Sequence, residues 1–276
     1  MSKEEVSFSF GKNWEHYVKT SFSDERVEIS KKHLLAFLER NDLKGVTFLD
    51  IGCGSGLHSY AAYRAGVAQI VSIDVDEYSV KTTTKIREMA GNPPNWRVLH
   101  GSVLDADFMS TIEPVDIVYS WGVLHHTGDL WQAVKNASLP IKNGGLYYIA
   151  LYEKTAESDY WIRIKKKYNS SSKFNKVLME ISYVIEHVMV PAIIGGPKAL
   201  IHKIKYVTSY KENRRGMSFM TDIRDWLGGW PYQPATPEEV ADYCVNTLGL
   251  LNKKIKTGEA NIEYLFQKSD ADACIG

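Results

Sequence analysis

The chain of 276 residues is poor in cysteine, carries no excess of charge and has no long apolar run. Cys53, Cys244 and Cys274 are odd in number and far apart. They frame no disulfide scaffold and show no metal-ligand spacing, so a reducing, cytoplasmic compartment is expected and no metal. Lys plus Arg and Asp plus Glu each total 33, for a formal net charge of zero. That balance argues against a polybasic protein held to nucleic acid by overall charge. Within the most apolar stretch, Val177–Val207, the uncharged run Val188–Pro197 is ten residues with two prolines and two glycines. A helix spanning a bilayer needs about 20 apolar residues. The opening MSKEEVSFSF lacks the apolar region of a signal peptide. What is present is a 44 % apolar and 12 % aromatic composition, enough for a substantial core. The length suits one large domain, or one domain carrying an insertion.

Apolar periodicity predicts a helix over 24–40, capped by Ser23, and then a strand–helix alternation. Strands are expected at Val46–Asp50, Gln69–Asp74, Trp96–His100, Asp116–Trp121 and Leu146–Leu151. Helices are expected at Leu57–Ala65, 76–90 and 129–139. Such alternation means parallel β/α units with helices on both faces. The rhythm stops after Leu151, where 153–235 reads as helical with no clear strand. It resumes at Thr236-Pro237-Glu238-Glu239, a capping box, followed by a helix to Gly249 and a hairpin of strands near Leu250–Lys256 and Ile262–Gln267. Asn261 and Glu263 are expected to be solvated on an edge strand. The segments are therefore 1–44, an N-terminal helical cap; 45–152, a nucleoside-binding core; 153–235, a helical insertion; and 236–276, the part completing the sheet.

The chemistry concentrates in Phe48-Leu49-Asp50-Ile51-Gly52-Cys53-Gly54-Ser55-Gly56. Glycines at alternate positions let backbone approach a ligand closely, with helix N–H groups facing it. Asp74, eighteen residues after Gly56, ends the second strand, where a carboxylate can accept from both hydroxyls of a ribose. A dinucleotide site prefers G-x-G-x-x-G. Here the spacing is G-x-G-x-G, and Asp50 would repel a pyrophosphate but suits an ammonium group. S-adenosylmethionine is therefore favoured over a nicotinamide dinucleotide.

LDIGCGSG (49–56), VSIDVD (71–76), GSVLD (101–105) and DIVYSWGVLHHTGD (116–129) together resemble the motif set of class I S-adenosylmethionine-dependent methyltransferases, over about residues 45–151. FGKNWEHY (10–17) and the block 215–239 resemble a bacterial group related to ubiquinone-type small-molecule O-methyltransferases. The resemblance implies an α/β, Rossmann-like, doubly wound sheet of seven strands with the last antiparallel, and a helical insertion after the fifth. It implies S-adenosyl-L-methionine as cofactor, S-adenosyl-L-homocysteine as product and a role in small-molecule biosynthesis. Asp50 and Gly52 would hold the amino-acid end of the cofactor, Asp74 its ribose, and Ser102 and Val103 its adenine. Many relatives carry aspartate where Ser102 stands. Cys53, Gly54, Gly56, Val75 and Trp121 would complete the cofactor lining, with Trp14 from a lid that would also bring Arg26. Packing of that segment on the sheet is the plainer reading.

His125 and His126 follow the fourth strand, where an imidazole could take the proton of an acceptor hydroxyl. Neither is ahead of the other. Asp222, Arg224 and Trp226 mix charge and aromatics beside Gly228-Gly229, as a substrate-facing loop would. The run Ser120-Trp121-Gly122-Val123 lacks the Asn/Asp-Pro-Pro-Tyr/Phe pattern of adenine and glutamine N-methyltransferases. O-methylation of a small molecule is the leading expectation. Amine, carboxyl or RNA ribose methylation and a non-catalytic binding protein are the alternatives. Between Leu151 and Gly216 thirteen Lys or Arg face six acids, a net of +7, which leaves −7 for the rest. A basic lobe suits an anionic acceptor, or peripheral contact of 177–207 with an anionic membrane. The plainer reading makes Lys165–Lys167 a solvated face. Nucleic acid is disfavoured, because basic–aromatic mixing occurs without a recognised module.

Overall fold

A computed structural model describes residues 22–208, 219–257 and 261–270 of the chain. Trp14 lies outside them. The first half alternates β1 (Thr47–Ile51), β2 (Gln69–Asp74), β3 (Trp96–His100), β4 (Val115–Trp121) and β5 (Ile141–Tyr152) with helices. Helix α1 (Asp24–Leu38) precedes β1; α2 (Leu57–Arg64), α3 (Glu77–Met89), α4 (Ala106–Ser110) and α5 (Leu130–Ser138) fill the connections. The second half holds α6 (Ser158–Ser170), α7 (Lys173–Val184), α8 (Val190–Ile194), α9 (Gly196–Thr208), α10 (Phe219–Gly228) and α11 (Pro237–Asp242), then β6 (Leu250–Lys256) and β7 (Asn261–Lys268). Local chemistry sets several of these starts. The Ser23, Asp76, Asp105 and Asp129 side chains cap α1, α3, α4 and α5 by accepting from backbone N–H groups, and the capping box at Thr236 and Glu239 forms in full.

The sheet order is β3-β2-β1-β4-β5-β7-β6. Strands β1 to β5 pair in parallel, whereas β7 runs antiparallel to both β5 and β6. The seven-stranded, doubly wound sheet with an antiparallel last strand is thus present. On one face Phe37, Phe48, Ala62, Ile86, Trp96 and Tyr148 pack under α1 to α3. On the other, Leu49, Val118, Val134, Ile149, Val240 and Phe266 pack under α5 and α11. Each fully buried large apolar side chain contributes roughly 1.5–3 kcal/mol, so a sheet buried on both faces is a rigid base for whatever its strand ends present.

Two expectations are corrected by pairing that local sequence does not show. The fifth strand starts at Ile141, not Leu146, and the Asn143-Gly144-Gly145 turn becomes an irregularity within it. The last strand is not an edge: β7 lies between β5 and β6, so Glu263 is buried rather than solvated. Its carboxylate accepts from the Tyr148 hydroxyl (2.5 Å) and the Trp121 indole (3.2 Å) and pairs with His33 of α1 (3.3 Å). Burial alone would raise the Glu263 carboxyl. The bonds from His33, Tyr148 and Trp121 outweigh it and hold the group down at about 2.

Candidate active site

The site is assembled at the C-terminal ends of β1, β2 and β4. After β1 the chain turns through Gly52, Gly54 and Gly56, all with positive φ (+74°, +52°, +77°), a region costly for other residues. The Gly52 and Cys53 N–H groups donate to the Ile73 carbonyl, tying the turn to β2. A Cβ at Gly52 would lie 2.4 Å from Val123 Cγ1, and one at Gly56 would lie 3.1 Å from Thr83. The turn is therefore wedged between the exit of β4 and helix α3. Cys53 is buried, accepts from the Thr83 hydroxyl (3.3 Å) and has its thiol pushed well up by burial, so it is no ready nucleophile.

Two carboxylates flank this turn. Asp74 accepts from the Gly54 N–H through one oxygen (2.9 Å) and from the Asp76 N–H through the other (2.9 Å). Burial raises its carboxyl, against those amide donors. Asp50 is buried and accepts from Ser59 Oγ (2.5 Å), which meets Ser72 Oγ (2.7 Å); the Trp96 indole donates to Ser72 (2.9 Å). Burial pushes the Asp50 carboxyl up to about 7, and the charge of Asp74 adds to the rise. Beyond β2, Val75 is exposed and its carbonyl accepts from His100 Nε2 (2.9 Å). Ser102 accepts from the Leu104 N–H, while Val103 is buried with its carbonyl accepting from Asn136. Trp121 ends β4 with its indole on Glu263.

The chain then passes through Val123 into a short 3-10 turn, Leu124–His126, that brings the two histidines beside the segment from 230 to 233. Partner chemistry assigns their protons. His126 Nδ1 lies 2.6 Å from the Pro231 carbonyl, which only accepts, so the proton is on Nδ1 and the lone pair on Nε2. His125 Nδ1 accepts from the Tyr152 N–H (3.4 Å), so its proton is on Nε2, which is buried with no partner. Burial lowers both imidazoles, His125 well below its usual value and His126 to about 4; the charge of Lys165 lowers both further. The pair is neutral at pH 7.

Lys165 is the residue that the sequence hid. Its neighbours in the Lys165–Lys167 run read as a solvated face, yet Lys165 is 1 % exposed. Its ammonium donates to the Trp226 carbonyl and sits 4.1 Å from the Trp226 ring and 5.0 Å from the Tyr232 ring. Those rings continue through Tyr152 to His125, whose ring centroid is 4.3 Å from that of Tyr152. The helical period, with Trp161, Lys165 and Tyr168 on one side of α6, was the available signal. Of the other expected acceptor-side residues, Trp226 joins this cluster. Arg224 donates through Nε to Glu180 (3.1 Å), which also holds the Tyr168 hydroxyl (2.8 Å). Arg26 sits in the first turn of α1, whose Asp24 and Glu28 pair with Arg64 of α2. The Asp222 side chain lies outside the described residues. Among the described residues no group of His, Cys, Asp or Glu could hold a metal ion.

Residues 49–149 match the family described as a methyltransferase domain. The ubiquinone biosynthesis O-methyltransferase of Paramagnetospirillum magneticum is 29 % identical over 50 % of this chain and 55 % of its own length. A tRNA U34 carboxymethyltransferase of Klebsiella pneumoniae is 34 % identical over 33 % of this chain and 28 % of its own. The chain thus spans about half the length, or less, of the curated relatives it matches. In fold, it resembles magnesium protoporphyrin IX methyltransferase of Synechocystis, solved with bound S-adenosylhomocysteine (TM-score 0.54, 11 % identity, 94 % of each chain). It also resembles a Methanococcus maripaludis protein assigned provisionally to the S-adenosyl-L-methionine-dependent methyltransferases (0.54, 16 %, 99 % and 98 %). A glycine turn between two carboxylates on a sheet of this order defines a nucleoside-binding methyltransferase fold. Residues 49–149 carry a methyltransferase domain on the fold shared by S-adenosylmethionine-dependent methyltransferases, and S-adenosylmethionine is the cofactor that this domain implies. The residues fit it: the turn is lined by carboxylates, which match an ammonium group and ribose hydroxyls and would repel a pyrophosphate.

Burial lowers the Lys165 ammonium to about 7 against an ordinary 10.5, with the Asp225 charge opposing. At this group the unfolded chain therefore binds more protons above pH 7, and the contribution of Lys165 to stability should rise with pH from about 7 up to about 10.5. Relative to Lys165→Met, the wild type should gain on the order of 1–2 kcal/mol between pH 7 and pH 9 in urea unfolding. Parallel curves for the two proteins would mean that Lys165 is not buried as described.

Proposed function

We propose that this protein methylates a hydroxyl group of a small molecule, with His126 as the base. The observation that carries the reading is the His126 tautomer, fixed by the Pro231 carbonyl, which makes Nε2 the basic nitrogen of the ring. Bound S-adenosylmethionine supplies a methyl group already activated on a sulfonium. Asp50 would hold its ammonium group, Gly52 the adjoining backbone, Asp74 the ribose, and Ser102 and Val103 the adenine. Cys53, Gly54, Gly56, Val75 and Trp121 would shape the remaining wall, with Trp14 from an N-terminal cap over 1–44. The division into that cap, the 45–152 core, the 153–235 insertion and the 236–276 completion is part of the same proposal. The ubiquinone relatives support a small-molecule acceptor; the tRNA-modifying relative keeps an RNA acceptor as the second reading, over a third of the chain only. A reducing, cytoplasmic setting is supported by Cys53 and Cys244, both free and buried.

Membrane contact through 177–207 is supported by an exposed apolar stripe on the basic lobe. Leu178, Ile181, Ile185, Met189 and Ile193 are exposed, while no helix among the described residues is long and apolar enough to cross a bilayer. The protein should float with phosphatidylglycerol vesicles, less so with phosphatidylcholine or in high salt, and Ile181→Glu with Ile185→Glu should abolish it. Equal flotation on both lipids would remove the electrostatic part of this reading.

Calorimetry with S-adenosylhomocysteine tests the cofactor assignment. Asp74→Ala should weaken binding by about 10- to 100-fold, the loss of a charged hydrogen-bond set of about 1.5–3 kcal/mol. An ammonium partner favours the Asp50 carboxylate, so binding should release protons near pH 7 and weaken as pH falls from 8 to 6. Asp50→Asn should erase that dependence, and an affinity flat across this range in the wild type would remove Asp50 from the site.

The acceptor atom is read with methyl-labelled S-adenosylmethionine and a panel of hydroxylated small molecules. Label in an alkali-stable ether, formed about 10²-fold or more slowly by His126→Ala, is expected. Label released by mild alkali as methanol would point instead to a carboxyl acceptor.

A further inference from the structure

Within the reading above, the core and the insertion together form a cluster rich in buried donors. His125 Nε2–H is buried without a partner, and so is the Trp226 indole N–H. Lys165 brings three N–H donors, and its one oxygen partner is the Trp226 carbonyl. The three residues are linked through the rings of Tyr152 and Tyr232, and the lysine charge is felt by both histidines. Buried donors left unsatisfied cost free energy, and native proteins rarely tolerate two in one place without something to occupy them. The buried ammonium is held by one carbonyl and two ring faces, and the charge of Asp225 only partly offsets the cost of its burial.

What would satisfy this set is an oxygen bearing negative charge, attached to a flat unsaturated ring that can pack against the Tyr152, Trp226 and Tyr232 cluster. We propose that Lys165, His125 and Trp226 form the seat for an oxyanion of the acceptor, either an ionised ring hydroxyl or a ring carboxylate. The imidazole of His126, held to a low basicity by burial and by the lysine, is by itself a weak match for an ordinary phenol. A cation and two fixed donors at the oxygen compensate for that, in the manner of preorganised oxyanion sites. Lys165 is then a residue that touches the acceptor and selects for its charge.

The test uses 4-nitrophenol and benzoate as probes, with 4-nitroanisole and benzamide as their uncharged counterparts. Binding to the protein saturated with S-adenosylhomocysteine is followed by absorbance for the nitrophenol pair and by calorimetry for the other. The wild type should bind at least one anion tenfold or more tightly than its neutral counterpart. If 4-nitrophenol is the better ligand, its phenolate band should appear at a lower pH than in buffer; if benzoate is, the seat serves a carboxylate. Lys165→Met should abolish the preference for the anion, Lys165→Arg should keep part of it, and Trp226→Phe should weaken it with the ring stacking retained. S-adenosylhomocysteine affinity should be unchanged in all three variants, which separates loss of the seat from loss of folding. Failure of the wild type to bind S-adenosylhomocysteine would refute the reading of the preceding subsection. Normal cofactor binding with no anion preference, or one that survives Lys165→Met, would overturn this inference alone.

Discussion

The constraint on which the site depends is the close approach of Gly52 to Val123. The methyl groups of Val123 fill the space that any side chain at position 52 would need. That contact places the glycine turn against the exit of β4, and two residues further on stand the histidines. The turn is fixed from its other side by the Ile73 carbonyl of β2. Three strand ends are thereby held in one arrangement, with Asp50, Asp74 and the histidine pair around it.

The polar groups beside this arrangement are handled in two ways. Asp50 lies in a closed chain of Ser59, Ser72 and Trp96, so its carboxylate has a fixed direction before any ligand arrives. The histidines are oriented by backbone instead, His126 by Pro231 and His125 by Tyr152. The segment from 230 to 233 and the end of β5 therefore set the tautomers of a pair that β4 delivers. Core and insertion share this one locus, and both contribute to the donors there.

Much of the core was legible because it is written locally. The alternation of apolar runs with capped helices, the glycine turn and the position of Asp74 each depend on residues within about twenty of one another. Long-range pairing was not legible. The placement of β7 between β5 and β6 turned Glu263 from an expected edge residue into the buried partner of Tyr148, Trp121 and His33. Lys165 was hidden by its own neighbours, since a run of three lysines carries no mark of which one turns inward. Only its helical phase with Trp161 and Tyr168 gave a hint, and the aromatic partners Trp226 and Tyr232 lie more than sixty residues away. The ion pair of Arg224 with Glu180, forty-four residues apart, was likewise not marked in the sequence.

The position of β7 also bears on how the chain reaches this state. Synthesis delivers β1 to β5 long before β7, so β5, twelve residues long, waits with an unpaired edge. During that interval the Tyr148 hydroxyl lacks its carboxylate and the apolar face beneath α11 stays open to water. Exposed edges of this length invite pairing with other chains, and such non-local closure is slow. The strand that seals the sheet therefore sets a window of vulnerability on the ribosome, during which holding chaperones or slow dilution would govern the yield of folded protein more than its final stability does.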